Sequence, residues 1–191
     1  MKKIIAIVLV VVVAAVAVFA LTSNKTPDTS NDAAAYADAT EVLTTIFAAY
    51  AEENKFPVGG GDEANMSFEA PAKYDYTLAD ELNVVAKLPA TQSANIEDAA
   101  TAMHMMNANS FTGAAYKLVA GADAAAFAEE FKTELDNTRW MCGFPEKFIV
   151  IKTGDFVVTA FGVADIMDYF KTTATTTITG AEVVLEGDIA A

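Results

Sequence analysis

An apolar run near the start of the chain constrains its fold and location more than any other feature. Residues 4 to 21, IIAIVLVVVVAAVAVFAL, are eighteen consecutive apolar residues without a charge. A helix of this length extends about 27 Å, which is long enough to cross a bilayer as a slightly thin span. The run therefore predicts a membrane anchor over residues 1 to 21, with a single transmembrane helix.

The same run has a second interpretation, as a cleaved secretory signal. Lys2 and Lys3 form a positively charged start, and Val18-Phe19-Ala20 offers small residues for cleavage near Ala20. The apolar part of such signals is about 7 to 15 residues, so the longer run favours the uncleaved anchor. In both cases the lysines stay on the cytoplasmic side, and everything after the run is predicted to be extracytoplasmic. No cysteine lies just past the run, where Leu21 is followed by Thr22 and Ser23, which disfavours a lipid anchor.

The exported part is strongly acidic. The formal net charge is −14 at pH 7, and without Lys2 and Lys3 ten basic residues face 26 acidic ones, a balance of −16. The field of such a surface disfavours nucleic acid and anionic lipid headgroups as partners. It is typical of a solvated surface, or of one that faces cations or a basic partner.

Composition divides the rest of the chain. Residues 22–32 are rich in Ser, Thr, Asn and Asp, which predicts a flexible linker. Residues 33–172 are predicted to form one extracytoplasmic domain. Residues 173–191 are a Thr-rich tail that either adds edge strands, over 175–178 and 182–185, or stays mobile.

Periodicity predicts the elements of that domain. Helices are expected over 33–54, over 77–82 with a capping-box start at Thr77, from an Asp123 cap to about Asn137, and over 163–171. Residues 58–73 are expected to form an irregular loop. Strands are expected over 101–106, where a helix is the competing interpretation, and in FTGAAYKLVAG, which starts at Phe111.

The strongest strand signal is a hairpin over residues 148–161. FIVIK and FVVTAF are β-rich runs joined by a Thr153-Gly154-Asp155 turn. Both runs are apolar at most positions, which indicates a central hairpin covered by helices on at least one side. The predicted fold class is α+β, an antiparallel sheet packed by helices.

The segment NTRWMCGFPEKF, residues 137–148, holds the only Arg, Trp and Cys of the chain: Arg139, Trp140 and Cys142. A thiolate beside a cation can be a nucleophile, but the only histidine available as a base is His104, and no catalytic-cysteine signature surrounds Cys142. The segment is predicted to be a turn from helix to strand, plugged by Trp140 and Phe144. No catalytic or cofactor-binding residue is predicted.

A second cluster is Met103-His104-Met105-Met106. Thioether and imidazole ligands suit Cu(I), and on a strand Met103 and Met105 project from the same face. Met103, His104 and Met105 are therefore the candidate metal ligands. The competing interpretation is that the methionines fill core gaps. Whether Met141 and Cys142 face His104 stays open at this stage.

Other ligand motifs are missing from the sequence. No stretch has the alternating acidic ligands of a calcium loop, and Gly59-Gly60-Gly61 is followed by Asp62-Glu63, which would repel a phosphate. Nothing singles out a pair among the 26 acidic residues for hydrolysis.

Two families share features with the chain. GADAAAFAEEFKTELDN followed by RW, CGFPEKFIV and GDFVV, within about residues 97–170, resembles a family of small membrane-anchored or lipid-anchored extracytoplasmic proteins of Gram-positive anaerobes, a domain of unknown function. This resemblance implies location and a compact α+β domain, and it transfers no functional residue. The apolar start followed by an Ala-rich helix ending in AEENKFP is similar to a type IV pilin stem, but the Gly-Phe processing site and the glutamate at the start of the run are missing.

The sequence thus predicts a non-enzymatic, membrane-anchored binding or structural module of the cell envelope. Its expected partners are the membrane, through residues 4–21, and an unidentified envelope protein or ligand. The alternatives are an exported Cu(I)-handling protein, a pilin-like fibre subunit and a hydrolase.

Overall fold

The computed structural model of the chain describes residues 36 to 190. This part is α+β, with helices packed on an antiparallel sheet, as predicted. No helix within it is long and apolar enough to cross a membrane. The predicted anchor and the whole of the predicted linker to the domain lie outside the described residues.

Helices separate single strands and pairs of strands along the chain. The strands are β1 (Val58–Gly59), β2 (Ala72–Tyr74), β3 (Ile96–His104), β4 (Phe111–Leu118), β5 (Lys147–Thr153), β6 (Phe156–Gly162) and β7 (Glu182–Asp188). The helices are α1 (Ala39–Ala48), α2 (Ala79–Ala86), α3 (Ala124–Asn137) and α4 (Ala164–Thr177), with short 3-10 helices at Glu52–Asn54, Ala90–Asn95 and Ala108–Ser110.

The predicted hairpin lies inside the sheet. The strand order is β1-β3-β4-β6-β5-β7, and β2 pairs with a different part of β3. Strands β5 and β6 pair in antiparallel register, with Phe148 opposite Phe161. Strand β4 covers the other edge of β6, and β7 covers the other edge of β5. Every residue of β6 is buried as a result.

Helices cover both faces of this sheet. Helices α1 and α4 pack with Ile149 and Val158 on one face, which we call the α1/α4 face. Helices α2 and α3 pack with Val150 and Val157 on the other, the α2/α3 face. Because successive strand residues point to opposite faces, a sheet covered on both sides needs apolar residues at nearly every central position. The continuous apolar runs in β5 and β6 follow from this.

The start of α1 is set by two carboxylates. Asp38 has an extended backbone and its Oδ1 accepts the Glu41 amide at 2.8 Å, while Asp98 of β3 accepts the Ala39 amide at 2.8 Å. These bonds satisfy amide groups that a helix leaves unpaired at its first turn. The prediction of a helix over residues 33–54 was therefore wrong at both ends: α1 begins at Ala39 and ends at Ala48.

Two predictions near α2 were also wrong. Residues 58–73 contain β1 and the first two residues of β2, and both strands pair with β3, so this stretch is not only a loop. The capping box is absent, because Leu78 occupies the cap position of α2 and makes no side-chain bond. The Thr77 hydroxyl instead donates to Asp75 at 2.7 Å.

The Thr-rich tail is divided between a helix and a strand. Helix α4 continues to Thr177, so the predicted edge strand over 175–178 was wrong. The hydroxyls of Thr172, Thr175 and Thr176 each donate to the carbonyl four residues earlier, so these hydroxyls have hydrogen-bond partners inside the helix. The strand predicted over 182–185 is confirmed, since it lies in β7 and pairs with β5.

A buried carboxylate organises the connection between β1 and β2. Asp62 is only 4% exposed. It accepts the Asp75 amide at 2.6 Å, the Ala64 amide at 2.8 Å and the Asn65 amide at 2.9 Å, and the Asn65 side chain adds a further bond. Burial raises the pKa of Asp62, but these hydrogen bonds outweigh it and hold the pKa below its usual range.

We expect Asp62→Asn to lower the free energy of unfolding at pH 7 by about 1 to 2 kcal/mol. The asparagine amide is neutral and has one acceptor oxygen, so it cannot accept all of the bonds that the carboxylate accepts. A carboxyl whose pKa is lower in the folded state contributes its stability above its unfolded pKa of about 4 and loses it as the pH falls. The destabilisation relative to wild type should thus shrink between pH 7 and pH 3 in urea unfolding. Glu63→Gln, at the exposed neighbouring acid, is the control and should show no such difference.

Candidate ligand-binding groove

Two connections meet at one end of the sheet. The β3–β4 connection carries Asn107 and Asn109, and the α3–β5 connection carries Met141, Cys142 and Gly143. The Asn107 side-chain amide donates to the Cys142 carbonyl at 3.1 Å. The Asn109 side-chain amide donates to the Met141 carbonyl at 2.8 Å and to the Gly143 carbonyl at 3.1 Å. These bonds hold the segment that contains the three unique residues of the chain.

Trp140 anchors the same segment to the core. Its ring lies 5.4 Å from the ring of Phe161, centroid to centroid, and it packs against the cluster of the α2/α3 face. The Lys87 ammonium lies 5.5 Å from the centre of the Trp140 ring, within range of a cation–π interaction. Trp140 thus acts as the predicted plug, whereas the same prediction for Phe144 was wrong, since Phe144 is 62% exposed.

A groove of about 290 Å³ opens between α2 and these two connections. Its apolar lining includes Val84 and Val85 from α2, Met103 from β3, Phe161 from β6, and Trp140 and Met141 from the α3–β5 connection. Its charged side chains are Lys87 and Arg139. The volume is at the lower limit of ordinary ligand pockets, and the mixture of apolar surface with a few polar groups is typical of them.

The charges of the groove differ from those of the whole chain. The chain has 26 acidic residues, yet none of those within residues 36 to 190 lines the groove. Residues 36 to 190 contain nine basic residues, and six of them form ion pairs with carboxylates: Lys55, Lys73, Lys117, Lys132, Lys147 and Lys171. Within this range the three without an ion pair are Lys87, Arg139 and Lys152. Two of these three line the groove.

Lys87 is held in an unusual position. It ends α2 in the left-handed backbone region, with φ of 59°, which is uncommon for a residue with a side chain. Burial lowers the pKa of its ammonium, and the charge of Glu134 offsets this only in part. A partly desolvated cation of this kind gains from a nearby anion.

The three residues predicted to bind copper do not share one surface. Met103 lines the groove on the α2/α3 face. The His104 ring stacks on Phe56, with centroids 5.1 Å apart, and Phe56 packs on the α1/α4 face. Met105 is 42% exposed beyond the end of β3. Adjacent strand residues project to opposite faces, so Met103 and His104 point apart.

The residues that do come together are Met103 and Met141, both of which line the groove. His104 and Cys142 are not part of its lining. Cys142 is exposed, with φ of 63°, on the connection beside it. No group of three His, Cys, Asp or Glu side chains in the described part of the chain is placed to hold a metal ion. Copper binding by Met103, His104 and Met105 stays an untested prediction that this geometry does not favour.

Comparison of the chain with protein-family models, with curated proteins and with solved structures finds no significant match. The resemblances to the extracytoplasmic family and to the pilin stem therefore stay predictions. The groove and its charges have to be interpreted from this chain alone.

Sequence reasoning missed the contribution of α2 to the groove. Val84 is 71% exposed, which is unusual for valine in an amphipathic helix. The helix predicted over residues 77–82 ends before Val84, Val85 and Lys87. A longer predicted helix, with the apolar Val84 on its solvent side, would have indicated this wall of the groove.

Proposed function

We propose that this protein is a non-enzymatic, membrane-anchored binding module on the extracytoplasmic side of the cell envelope, and that the groove is its ligand site. One observation carries the choice of site. A chain with a net charge of −14 has an apolar groove without acidic lining residues, and two basic residues of that groove have no ion-pair partner within residues 36 to 190.

The location is supported by residues 4–21 and by the two lysines that precede them. A polar segment between this run and the domain would hold the groove away from the bilayer surface. A binding role suits the groove because its polar side chains are two cations, one amide and two threonine hydroxyls, with no histidine or carboxylate among the described lining residues to act as a base.

The location can be tested with the single cysteine. Cys142 is exposed, so a membrane-impermeant maleimide should label it on intact cells that express the full-length chain. The labelled protein should sediment with membranes, and its intact mass should match the uncleaved chain. Cys142→Ser serves as the unlabelled control.

Two results would contradict the proposal or alter it. Labelling that appears only after the cells are lysed would place the domain inside the cell and overturn it. Labelled protein in the medium, shortened to a start just after Ala20, would replace the anchor by a cleaved signal.

A further inference from the structure

We infer that the groove binds a polypeptide segment in which one carboxylate side chain lies beside apolar side chains. This inference rests on the proposed function and specifies its ligand. It depends on two features of the described residues: the charges of the groove and the apolar surface around it.

The charge of the ligand follows from Lys87 and Arg139. The other basic residues of the described part, apart from Lys152, are already in ion pairs with carboxylates of the chain itself. The guanidinium of Arg139 offers a planar set of donors that matches a carboxylate in two parallel hydrogen bonds. Glu134 acts on Lys87 through its charge, but neither Lys87 nor Arg139 forms an ion pair within residues 36 to 190. A ligand that brings a carboxylate into the groove would supply that ion pair.

The net charge of the protein limits how many carboxylates the ligand can carry. At −14, the surface repels polyanions at long range, so nucleic acid or a run of acidic residues would approach against the field. One carboxylate can pair with the two cations of the groove while the rest of the ligand stays neutral. The partner is therefore an apolar segment with a single acid.

The apolar surface continues beyond the cavity. Val84 on one wall is 71% exposed, and Met141 on the other wall is 70% exposed. Met106 and Phe144, on the same two connections as the groove, are 81% and 62% exposed. A small acid confined to about 290 Å³ would leave this surface uncovered. A chain that passes across the groove would cover it, and exposed methionines are adaptable contacts for such a chain.

Binding can be measured through Trp140, because it is the only tryptophan and lines the groove. The probe is the peptide acetyl-Ser-Leu-Phe-Glu-Leu-Ser-amide, whose capped ends leave one charge, and the matched control has Gln in place of Glu. The full-length protein in mild detergent should show a saturable fluorescence change with the Glu peptide. The Gln peptide should bind about tenfold more weakly, since it cannot form charge-assisted bonds.

Variants of the basic residues test the site itself. Arg139→Gln and Lys87→Gln should each weaken binding of the Glu peptide by about tenfold and scarcely change binding of the Gln peptide. Lys152→Gln is the matched control, because Lys152 is exposed, has no ion pair in the described range and does not line the groove. Denaturant unfolding of each variant confirms that it is folded.

Several outcomes would overturn the inference. Equal affinity for the Glu and Gln peptides would show that the groove does not recognise the carboxylate. The same conclusion would follow if Lys152→Gln weakened binding of the Glu peptide as much as Arg139→Gln and Lys87→Gln do. Tighter binding of octanoate, or of acetyl-Ser-Leu-Phe-Leu with a free C-terminus, would assign the groove to small acids or to chain ends. If no probe binds while Cys142 is still labelled on intact cells, the ligand assignment fails and the envelope location stands.

Discussion

Replacing Phe111 by alanine is expected to lower the free energy of unfolding by about 3 to 5 kcal/mol. Phe111 is fully buried at the start of β4. Its ring lies 5.8 Å from Phe47, 5.4 Å from Phe56 and 5.1 Å from Phe170, centroid to centroid. It therefore joins α1, the connection after it and α4 to the sheet, and alanine would leave a cavity among three aromatic rings.

Denaturant unfolding of the full-length protein in mild detergent, followed by far-ultraviolet circular dichroism, measures this loss. Small domains are stable by about 5 to 15 kcal/mol, so the variant should have a much lower midpoint or be partly unfolded without denaturant. Phe144→Ala is the control. Phe144 is 62% exposed, so its replacement should change the free energy of unfolding little. A loss below about 1 kcal/mol at Phe111 would show that the α1/α4 face is packed differently.

The second large effect is expected at Gly60, where replacement by alanine should lower the free energy of unfolding by about 3 kcal/mol. A Cβ atom there would lie 2.0 Å from the Thr101 carbonyl oxygen and 2.8 Å from the Ala72 amide nitrogen. Both contacts are with backbone atoms, so no side chain can rotate away. The amide and carbonyl of Gly60 also bond to Ser67 at 2.9 Å each, which ties this loop to the edge of the sheet.

The same unfolding measurement tests this prediction, with hydrogen exchange to locate the change. The Gly60 and Ser67 amides should lose protection in Gly60→Ala, whereas amides of β5 and β6 should stay protected below the global unfolding transition. Gly121→Ala is the matched control. Gly121 has φ of 85° but nothing within 4 Å of an added Cβ, so only backbone strain of about 1 kcal/mol is expected there. Equal losses at both glycines would contradict the close approach at Gly60.

Elements with local signals were predictable. Helix α3 begins and ends where the sequence indicates, since the Asp123 side chain caps it by accepting the Ala125 amide at 2.8 Å. The β5–β6 hairpin was equally clear from its apolar runs and its Gly154 turn. In both, the residues that determine the structure are close together in the chain.

Elements that depend on distant partners were missed. Strands β1 and β2 have two and three residues, too few for a periodic pattern, and they exist because β3 offers its edge. The threonines of α4 favour strands by propensity, but Thr173 and Ala174 are buried in the helix that packs on the sheet. Tertiary packing outweighs propensity differences of about 1 kcal/mol or less.

The candidate site was likewise predictable only in part. The sequence by itself determined the acidic charge, the apolar run, the α+β class and the concentration of unique residues around Trp140, because composition and short-range patterns carry these. Only the tertiary structure decided that Met103 and His104 point to opposite faces, and that Lys87 and Arg139 line one groove whose described lining contains no acidic residue. A cavity is formed by residues distant in the chain, so its lining and charge depend on how α2 and α3 pack across β3 and β6, which no local pattern encodes.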